Sequence, residues 1–179
     1  MQRSPSRYDA VLFDRDGTLV VDVPYNGDPD KVEPVDGARE ALERLRRAGL
    51  RVGLVTNQSG IAKRRFGVDD MHAVHARLEA LLGPFDVIAW CPHDDSDRCE
   101  CRKPKPGLVR RAADTLGVDT RRCAVVGDTR ADVDAALAAG AQPILVPNDV
   151  TLPSEIATAP VVTSNVRQAV ALILGATNG

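Results

Sequence analysis

The sequence predicts an α/β fold in which a mainly parallel sheet lies between two layers of helices. Three observations support this. Short runs rich in Val, Ile and Leu alternate with longer segments whose apolar residues have helical spacing. The short runs lack strict apolar–polar alternation, as is typical of strands that are covered on both faces. Four of the helical segments end at a glycine, which favours helix termination.

Five strands are predicted in chain order, and a short sixth one is expected after them. The five lie at Tyr8–Phe13, Arg51–Thr56, Asp86–Trp90, Cys123–Gly127 and Pro143–Val146. The sixth is expected near Val161 and Val162. The β-branched and aliphatic content of these runs favours strands in the interior of a sheet.

Five helices are predicted from apolar residues that recur three or four positions apart. They span Asp36–Ala48, Asp69–Leu82, Pro106–Leu116, Arg130–Ala139 and Asn165–Leu174. The proline at the start of the third helix suits the first helical turn, where no backbone hydrogen bond is lost. The alternation of strands and helices predicts a Rossmann-like three-layer sandwich.

Two irregular segments interrupt this alternation, Val21–Pro34, called here the flap loop, and Cys91–Pro106. Both follow strands at the edge where parallel α/β proteins bind ligands. Long loops at that position are commonly lids or substrate loops. Neither segment is long enough to form a separate cap domain, so we expect one domain over residues 1–179.

Polar residues follow four of the predicted strands. In chain order they are Asp14 and Asp16, then Thr56 with Asn57, Gln58 and Ser59, then Arg102 and Lys103, then Asp128. The ends of parallel strands share one edge, where carboxylates can hold Mg²⁺ and a lysine with hydroxyl or amide donors can hold phosphoryl oxygens. Taken singly, each group could be a solvated turn, a loop charge or a helix N-terminal residue. Their occurrence together favours phosphoryl transfer.

Three cysteines and a histidine lie within eleven residues, at Cys91, His93, Cys99 and Cys101. Three thiolates and one imidazole form a common tetrahedral zinc set, although the cysteine spacing here is shorter than usual. A coincidence or a redox pair at Cys99 and Cys101 is the alternative. We expect a structural zinc, because protein would fill all four positions, and call residues 91–106 the zinc loop. Cys123 is expected in the core, and His72 and His75 on the surface.

The composition of the chain indicates which binding partners and which cellular compartment are expected. The chain has 179 residues, of which 44% are hydrophobic and 27% charged, and its net charge is −2. No electrostatic attraction to nucleic acid or to a membrane surface is therefore expected. The apolar runs are too short to span a bilayer, and Met1–Ser6 has no apolar core of a signal peptide. We expect a cytoplasmic protein with reduced thiols and, without a large apolar surface stripe, a monomer.

The order of these motifs resembles the haloacid dehalogenase-like superfamily of phosphatases. The pattern is Asp-x-Asp-Gly-Thr, a threonine after the second strand, a lysine, and Gly-Asp-x-x-x-Asp, and it extends from about Tyr8 to Val146. The finer sequences at Asp14–Thr18, Thr56–Ala62 and Cys101–Gly107 resemble the capless branch of that superfamily. This branch holds D-glycero-D-manno-heptose 1,7-bisphosphate phosphatase and the histidinol-phosphate phosphatases, and it carries the same cysteine and histidine arrangement.

The resemblance implies a Mg²⁺-dependent mechanism. Asp14 would become an aspartyl-phosphate, and Asp16 would protonate the leaving oxygen and then activate water. Mg²⁺ would be held by the carboxylates of Asp14 and Asp128 and by the backbone carbonyl of Asp16. Thr56 and Lys103 would hold the phosphoryl oxygens. The expected substrate-binding residues are Asp22, Tyr25, Asn57, Gln58, Ser59 and Arg102.

Three functions fit these residues, and each would act on or bind a small phosphorylated metabolite. Removal of the 7-phosphate from the heptose bisphosphate is preferred, because Arg102 beside Lys103 suits a dianionic second group. Histidinol-phosphate hydrolysis stays open, because the flap-loop acids would suit a cationic amine. A zinc-stabilised binding module without catalysis is the third. One departure from the heptose enzymes is Thr129, where they often have a lysine after the fourth-strand aspartate.

Overall fold

Five parallel strands form the central sheet of the protein, for which a computed structural model describes residues 7–175. They are β1 Ala10–Phe13, β2 Arg51–Asn57, β3 Val87–Cys91, β4 Cys123–Gly127 and β5 Gln142–Leu145. Their order across the sheet is β3-β2-β1-β4-β5. The strand order therefore reverses between β1 and β4, and ligands of open α/β sheets bind at the carboxyl ends beside such a reversal.

Six α-helices follow or connect the strands. They are α1 Ala38–Arg47, α2 Val68–Leu82, α3 Gly107–Leu116, α4 Arg130–Ala139, α5 Pro153–Thr158 and α6 Val166–Ile173. Three short 3₁₀ helices lie at Pro29–Lys31, Asp95–Asp97 and Thr120–Arg122. None of the helices within the described part of the chain is long and apolar enough to cross a membrane.

The predicted fold class is confirmed, and the predicted strands and helices lie within two residues of the observed ones. The sixth strand expected near Val161 is only a single parallel bridge between Leu145 and Val162. The helix α5 and the three 3₁₀ turns were not predicted. The expectations for Met1–Ser6 concern residues outside those that the structure describes.

The two faces of the sheet carry separate hydrophobic cores. Val11 and Phe13 of β1 belong to the core beneath α1, α2 and α6, whereas Ala10 and Leu12 belong to the core beneath α3 and α4. Successive residues of a strand point to opposite faces, so one buried strand contributes to both cores. This burial holds β1 rigidly and fixes the position of the residues that follow it.

The surface position expected for His75 is wrong, whereas His72 is exposed as predicted. His75 lies on the same face of α2 as Met71, Val74 and Leu78, which are all buried. Residues three and four positions apart share one helical face, which explains the burial. Burial, with a smaller contribution from the nearby positive charges, lowers the pKa of His75 to about 3 and keeps the ring neutral.

Candidate active site

A buried lysine joins the residue that follows β1 to the first turn of α4. Lys103 Nζ lies 2.9 Å from Asp14 Oδ1 and 2.6 Å from Asp132 Oδ1, and it donates a third hydrogen bond to the Val55 carbonyl at 2.9 Å. Asp14 is itself fixed by its backbone N–H, which donates to the Val126 carbonyl. The predicted proximity of Asp14 and Lys103 is thus observed, whereas Lys105 points away and bonds Cys99 and Glu100.

Burial and charge act in opposite directions on this pair. Burial raises the pKa of Asp14 well above its ordinary value; Lys103 opposes this rise, and the other carboxylates of the site reinforce it. Burial alone would lower the pKa of Lys103, but the carboxylates of Asp132 and Asp14 outweigh it, so the pKa lies above its ordinary value. Lys103 is therefore a permanent cation inside a cluster of acids.

A third carboxylate, Asp128, follows β4 and is held by two side chains. Thr18 Oγ1 donates to Asp128 Oδ1 at 3.0 Å, and Asn148 Nδ2 donates to Asp128 Oδ2 at 2.8 Å. Carboxylate oxygens of Asp14, Asp128 and Asp132 all lie within 4.8 Å of one another. Burial and the Asp132 charge raise the pKa of Asp128 to about 6. This crowding of negative charge at oxygen ligands is typical of a divalent cation site.

Gly17 provides the space that this arrangement requires. It adopts a left-handed backbone conformation with φ of 79°, which glycine tolerates without steric cost. A Cβ atom at this position would lie 2.4 Å from Asp128 Oδ2 and 2.8 Å from Asn148 Nδ2. The turn after β1 can therefore approach Asp128 only because residue 17 lacks a side chain.

A second network surrounds Asp16. Arg15 Nε lies 3.0 and 3.1 Å from the two Asp16 carboxylate oxygens, and Arg15 Nη2 donates to Gln58 Oε1 at 2.9 Å. Gln58 Nε2 in turn donates to Asp16 Oδ2 at 2.9 Å and to Thr56 Oγ1 at 2.7 Å. Arg15 was not identified from the sequence, where a charged residue in a turn is expected to be exposed.

Asn57 connects the end of β2 to the zinc loop. Its side-chain amide donates to the Lys103 carbonyl at 3.1 Å, and its carbonyl oxygen accepts from the Lys103 N–H at 3.1 Å. The Lys103–Pro104 peptide bond in this segment is cis. The paired hydrogen bonds fix the backbone from which the Lys103 side chain reaches Asp14.

The four zinc-loop residues come together as expected. Cys91 Sγ lies 3.4 Å from His93 Nδ1, 3.6 Å from Cys99 Sγ and 3.0 Å from Cys101 Sγ. Tetrahedral zinc, with bonds of about 2.0 Å to nitrogen and 2.3 Å to sulfur, separates its ligand atoms by about 3.5 to 3.8 Å. The four thiols of the chain are free. The donor set fits zinc, and the distances from Cys91 Sγ to His93 Nδ1 and Cys99 Sγ lie close to this range, whereas the distance to Cys101 Sγ is shorter.

Two thiols of this cluster have pKa values that are shifted in opposite directions. Burial, with hydrogen bonding to Cys101, raises the pKa of Cys91 to about 12. Desolvation would raise the pKa of Cys99 too, but the Arg102 N–H and neighbouring thiols outweigh it and lower that pKa to about 7. Buried Cys123 lies outside the cluster, as expected of a core residue.

The remaining predicted substrate residues lie in loops. Arg102 Nε pairs with Asp95 Oδ1 at 2.7 Å within the zinc loop. The largely exposed Asp22 has a raised pKa through partial desolvation and the Asp16 charge, which indicates that the flap loop lies near Asp16. Tyr25 Oη accepts a hydrogen bond from Lys63 Nζ at 2.8 Å. For Ser59 the structure gives a backbone contact, its carbonyl accepting from the N–H of Lys63. A substrate contact by these residues stays a prediction.

Comparison with known proteins points to one family. A model of the haloacid dehalogenase-like hydrolases matches residues 25–140. The D-glycero-beta-D-manno-heptose-1,7-bisphosphate 7-phosphatase of Pseudomonas putida is 40% identical over 141 residues, which cover 76% of this chain and 81% of that relative. The protein of the same name from Escherichia coli K12 is 36% identical, covering 73% of this chain and 74% of the relative.

Solved structures agree with the sequence comparison. The D,D-heptose 1,7-bisphosphate phosphatase of B. bronchiseptica, complexed with magnesium and phosphate, matches with a TM-score of 0.84 and 31% identity. The match covers 94% of this chain and 99% of that one. The corresponding enzyme from Burkholderia thailandensis matches with a TM-score of 0.67 and 25% identity, over 93% of this chain and 98% of that one.

Proposed function

This chain belongs to the haloacid dehalogenase-like hydrolases, and from that membership we propose that it removes the 7-phosphate of D-glycero-D-manno-heptose 1,7-bisphosphate. The observation that carries the proposal is the position of Lys103 Nζ, 2.9 Å from Asp14 Oδ1 in an otherwise acidic pocket. A cation beside a buried carboxylate is what a dianionic phosphate needs in order to approach that carboxylate. Two unit charges at about 4 Å repel by roughly 4 kcal/mol at an effective dielectric of about 20.

In the proposed reaction Asp14 attacks phosphorus and Asp16 moves the proton. A bond forms between an Asp14 carboxylate oxygen and phosphorus while the bond to the sugar oxygen breaks, and the leaving oxygen takes a proton from Asp16. Water then attacks the aspartyl-phosphate and gives its proton to Asp16, which releases phosphate and regenerates Asp14. Lys103 and Thr56 hold phosphoryl oxygens during both steps.

Asp14, Asp128 and the backbone carbonyl of Asp16 are the proposed ligands of Mg²⁺. The crowded carboxylate oxygens and the raised pKa values of Asp14 and Asp128 support a cation there. When bound, Mg²⁺ would supply charge neutralisation for the transferring phosphoryl group. Asp132 uses Oδ1 for Lys103 and Oδ2 for the backbone and hydroxyl of Thr129. We therefore assign it to positioning Lys103.

We further propose that Cys91, His93, Cys99 and Cys101 hold a structural zinc. All four donors come from the protein, so no position remains open for water, and the zinc loop has no core of its own apart from its first residues. The loop carries Arg102 and Lys103 directly after its last ligand. Zinc would thus fix the segment that places Lys103.

The proposed substrate is a small sugar bisphosphate. We also propose that the enzyme is a cytoplasmic monomer with one domain over residues 1–179. The names of the relatives support the heptose, and a crevice bordered by two loops rather than a cap suits a small molecule. Histidinol phosphate is the competing substrate to be tested, since acidic Asp22 lies near Asp16.

Parallel turnover assays with Mg²⁺ test this proposal. We expect the heptose bisphosphate to be hydrolysed faster than histidinol phosphate, and Asp14→Asn to lower turnover of both by about 10³-fold or more. Asp134→Asn is the matched control, because Asp134 only pairs with Arg130 on the exposed face of α4. Faster turnover of histidinol phosphate would replace the proposed substrate. No phosphate release from any ester would instead support a binding module without catalysis.

A further inference from the structure

We propose that Arg15 and Gln58 form a positioning pair that fixes the Asp16 carboxylate for proton transfer to the leaving group. The inference rests on the proposed function, in which Asp16 is the acid–base residue. It differs from the substrate-binding role that the sequence predicts for Gln58. Neither residue needs to touch the substrate for this role.

Arg15 is an arginine in a place where a charged side chain is costly. It is 1% exposed and ranks among the largest fully buried side chains of the described residues. Burying a guanidinium requires a compensating partner, and here the partner is the Asp16 carboxylate, contacted through Nε. A solvated turn would not need this charge inside the protein. The buried position of Arg15 is explained if the Asp16 carboxylate must be held in one fixed orientation.

Gln58 completes the orientation of Asp16 from the other side. It is 4% exposed, its Oε1 accepts from Arg15, and its Nε2 donates to both Asp16 and Thr56. The amide oxygen and nitrogen thus have distinct partners, which fixes which way the amide points. Little hydrogen-bonding capacity remains for a substrate. The same amide also links the threonine that would hold the phosphoryl group to the acid that would serve the leaving oxygen.

Residues 7–175 form no separate cap domain, which makes such a pair useful. The Asp16 side chain is 26% exposed, so neither burial nor a second domain restrains it. An acid that rotates freely is rarely aligned with the leaving oxygen, and misalignment of about 1 Å can cost on the order of 10²-fold in rate. Two buried partners that each bond the carboxylate remove that freedom before the substrate arrives.

The test uses a series of phosphate monoesters with leaving groups of different acidity, p-nitrophenyl, phenyl and ethyl phosphate, and measures kcat/KM with Mg²⁺. For this mechanism kcat/KM reports the steps up to departure of the leaving group, so the later attack by water does not enter. A good leaving group needs little help from an acid, whereas ethoxide needs much. We compare wild type with Asp16→Asn, Gln58→Leu and Gln58→Glu; the last keeps an acceptor for Arg15 but loses both donors.

We expect both Gln58 variants to lose about 10- to 100-fold in kcat/KM on ethyl phosphate and less than about 3-fold on p-nitrophenyl phosphate, because general acid catalysis contributes about 10² to 10⁴-fold. Arg15→Lys should behave likewise. Arg46→Met is the matched control, since Arg46 also bonds two groups, the Leu82 and Pro84 carbonyls, far from the site. It should leave the dependence on leaving group unchanged even if it lowers stability.

Equal losses on all three esters in the Gln58 variants would overturn the positioning role. That outcome is distinguishable from a failure of the proposed function. If Asp16→Asn itself shows no added sensitivity to the leaving group, or if wild type hydrolyses none of the esters, the assignment of Asp16 fails instead. A Gln58 variant that matches wild type on every ester would overturn the inference while leaving the proposed function intact.

Discussion

Asp14, Asp16 and Asp128 lie close together but have different partners, which suit the three carboxylates to different proposed roles. Lys103 contacts Asp14, Arg15 and Gln58 contact Asp16, and neutral donors from Thr18 and Asn148 contact Asp128. A carboxylate held by neutral donors keeps its full negative charge available for a metal. A carboxylate that is ion-paired with a lysine can be approached by a phosphate, because the lysine offsets the repulsion between the two negative groups. The proposed role of each acid thus follows from its neighbours rather than from its own type.

The first prediction concerns Gly17, with Gly117 as its matched control. Both have positive φ, 79° and 68°, but only a Cβ at residue 17 would meet other atoms. Alanine in the left-handed region costs about 1 to 2 kcal/mol at either site. We expect Gly17→Ala to lose a further 1 to 3 kcal/mol or so through overpacking, and at least about 10-fold in kcat/KM through displacement of Asp128.

Urea denaturation and steady-state kinetics of the two glycine variants measure these effects. Gly117→Ala should be destabilised without loss of activity, because Gly117 ends α3 with no atom within 4 Å of its would-be Cβ. Equal activity of the two variants would show that the turn tolerates a side chain and that the close approach to Asp128 is not required.

The second prediction concerns Asp128 and pH in buffers without divalent cations. Its pKa is raised to about 6 in the folded protein from an ordinary value of 3.8. Between these values the folded state binds more protons than the unfolded state, so the stability contributed by Asp128 is lost as pH rises through this window. We expect the free energy of unfolding of wild type, relative to Asp128→Asn, to fall by about 3 kcal/mol or less from pH 4 to 7.

Urea titrations of wild type and Asp128→Asn at several pH values measure that difference. Subtracting the two curves removes the contributions of titrating groups that do not interact with Asp128, such as the zinc-loop thiols. A difference that stays constant with pH would contradict a raised pKa at Asp128, and a difference that grows with pH would indicate a lowered one.

The acidic residues of the site could be predicted from the sequence, but not the partners that orient them. Asp14, Asp16 and Asp128 follow apolar strands, a pattern that is visible along the chain. Asn148 bonds Asp128 from twenty positions away, and no spacing rule links the two residues. Arg15 is the clearest omission, because residue type alone predicts exposure, whereas its buried guanidinium bonds Gln58, which is 43 positions away in the chain.

At the scale of elements, two segments cooperate to place one lysine. The zinc loop carries Lys103 into the crevice, and Asn57 at the end of β2 bonds both polar backbone groups of that residue. The four proposed zinc ligands lie in the part of the loop before Lys103, and α3 begins directly after the loop. The loop itself packs through Cys91, Cys99 and Cys101 against the core beneath α3 and α4.

The third prediction is that Cys101→Ser removes zinc and activity while Cys123→Ser does not. Both cysteines are free thiols, but only Cys101 belongs to the cluster. We expect about one zinc per chain in wild type and in Cys123→Ser, and a loss of at least about 10-fold in kcat/KM for Cys101→Ser as the support of Lys103 loosens.

Elemental analysis of freshly purified protein, with kinetics on the same samples, provides the measurement. Cys123→Ser serves as the control for a thiol-to-hydroxyl change, although its buried position can cost stability. Wild type without zinc would contradict the structural zinc. A Cys101→Ser variant that lacks zinc but keeps full activity would show that the loop places Lys103 unaided.

Element boundaries could be predicted where an element is long enough to show a regular spacing of apolar residues, and less well elsewhere. The limits of β4 and α4 match the predictions, because each has a sharp start and a glycine near its end. The helix α5 is only six residues long, which is too short to show a helical period. It begins at a proline, and Glu155 caps its start, features that a single turn shares with ordinary loops.

At the scale of the whole molecule, the flap loop packs against the segment that connects β2 to α2. Phe66, in the turn before α2, lies against Gly27 of the flap loop and Gly60 of the segment after β2, where a Cβ would come within 2.5 and 2.2 Å of its side chain. These glycines let the loops pack closely. In the same region Lys63 Nζ lies 5.1 Å from the centroid of the Tyr25 ring.

The last prediction is that Lys63 selects for a second phosphate. The chain has a net charge of −2, yet neither Lys63 nor Arg65 forms an ion pair within residues 7–175. Lys63 Nζ donates to Tyr25 Oη of the flap loop at 2.8 Å, so its charge lies beside that loop. An exposed charge pair contributes up to about 1 kcal/mol, so Lys63→Ala should raise KM for the heptose bisphosphate by about 3- to 5-fold. Because this contact would be equally strong before and during the reaction, kcat should not change.

Lys31→Ala is the control, since Lys31 lies in the flap loop but pairs with Asp28. Steady-state kinetics with the bisphosphate and with p-nitrophenyl phosphate separate the effects; an equal rise in KM for both substrates would place Lys63 at the transferred phosphate instead of the second one.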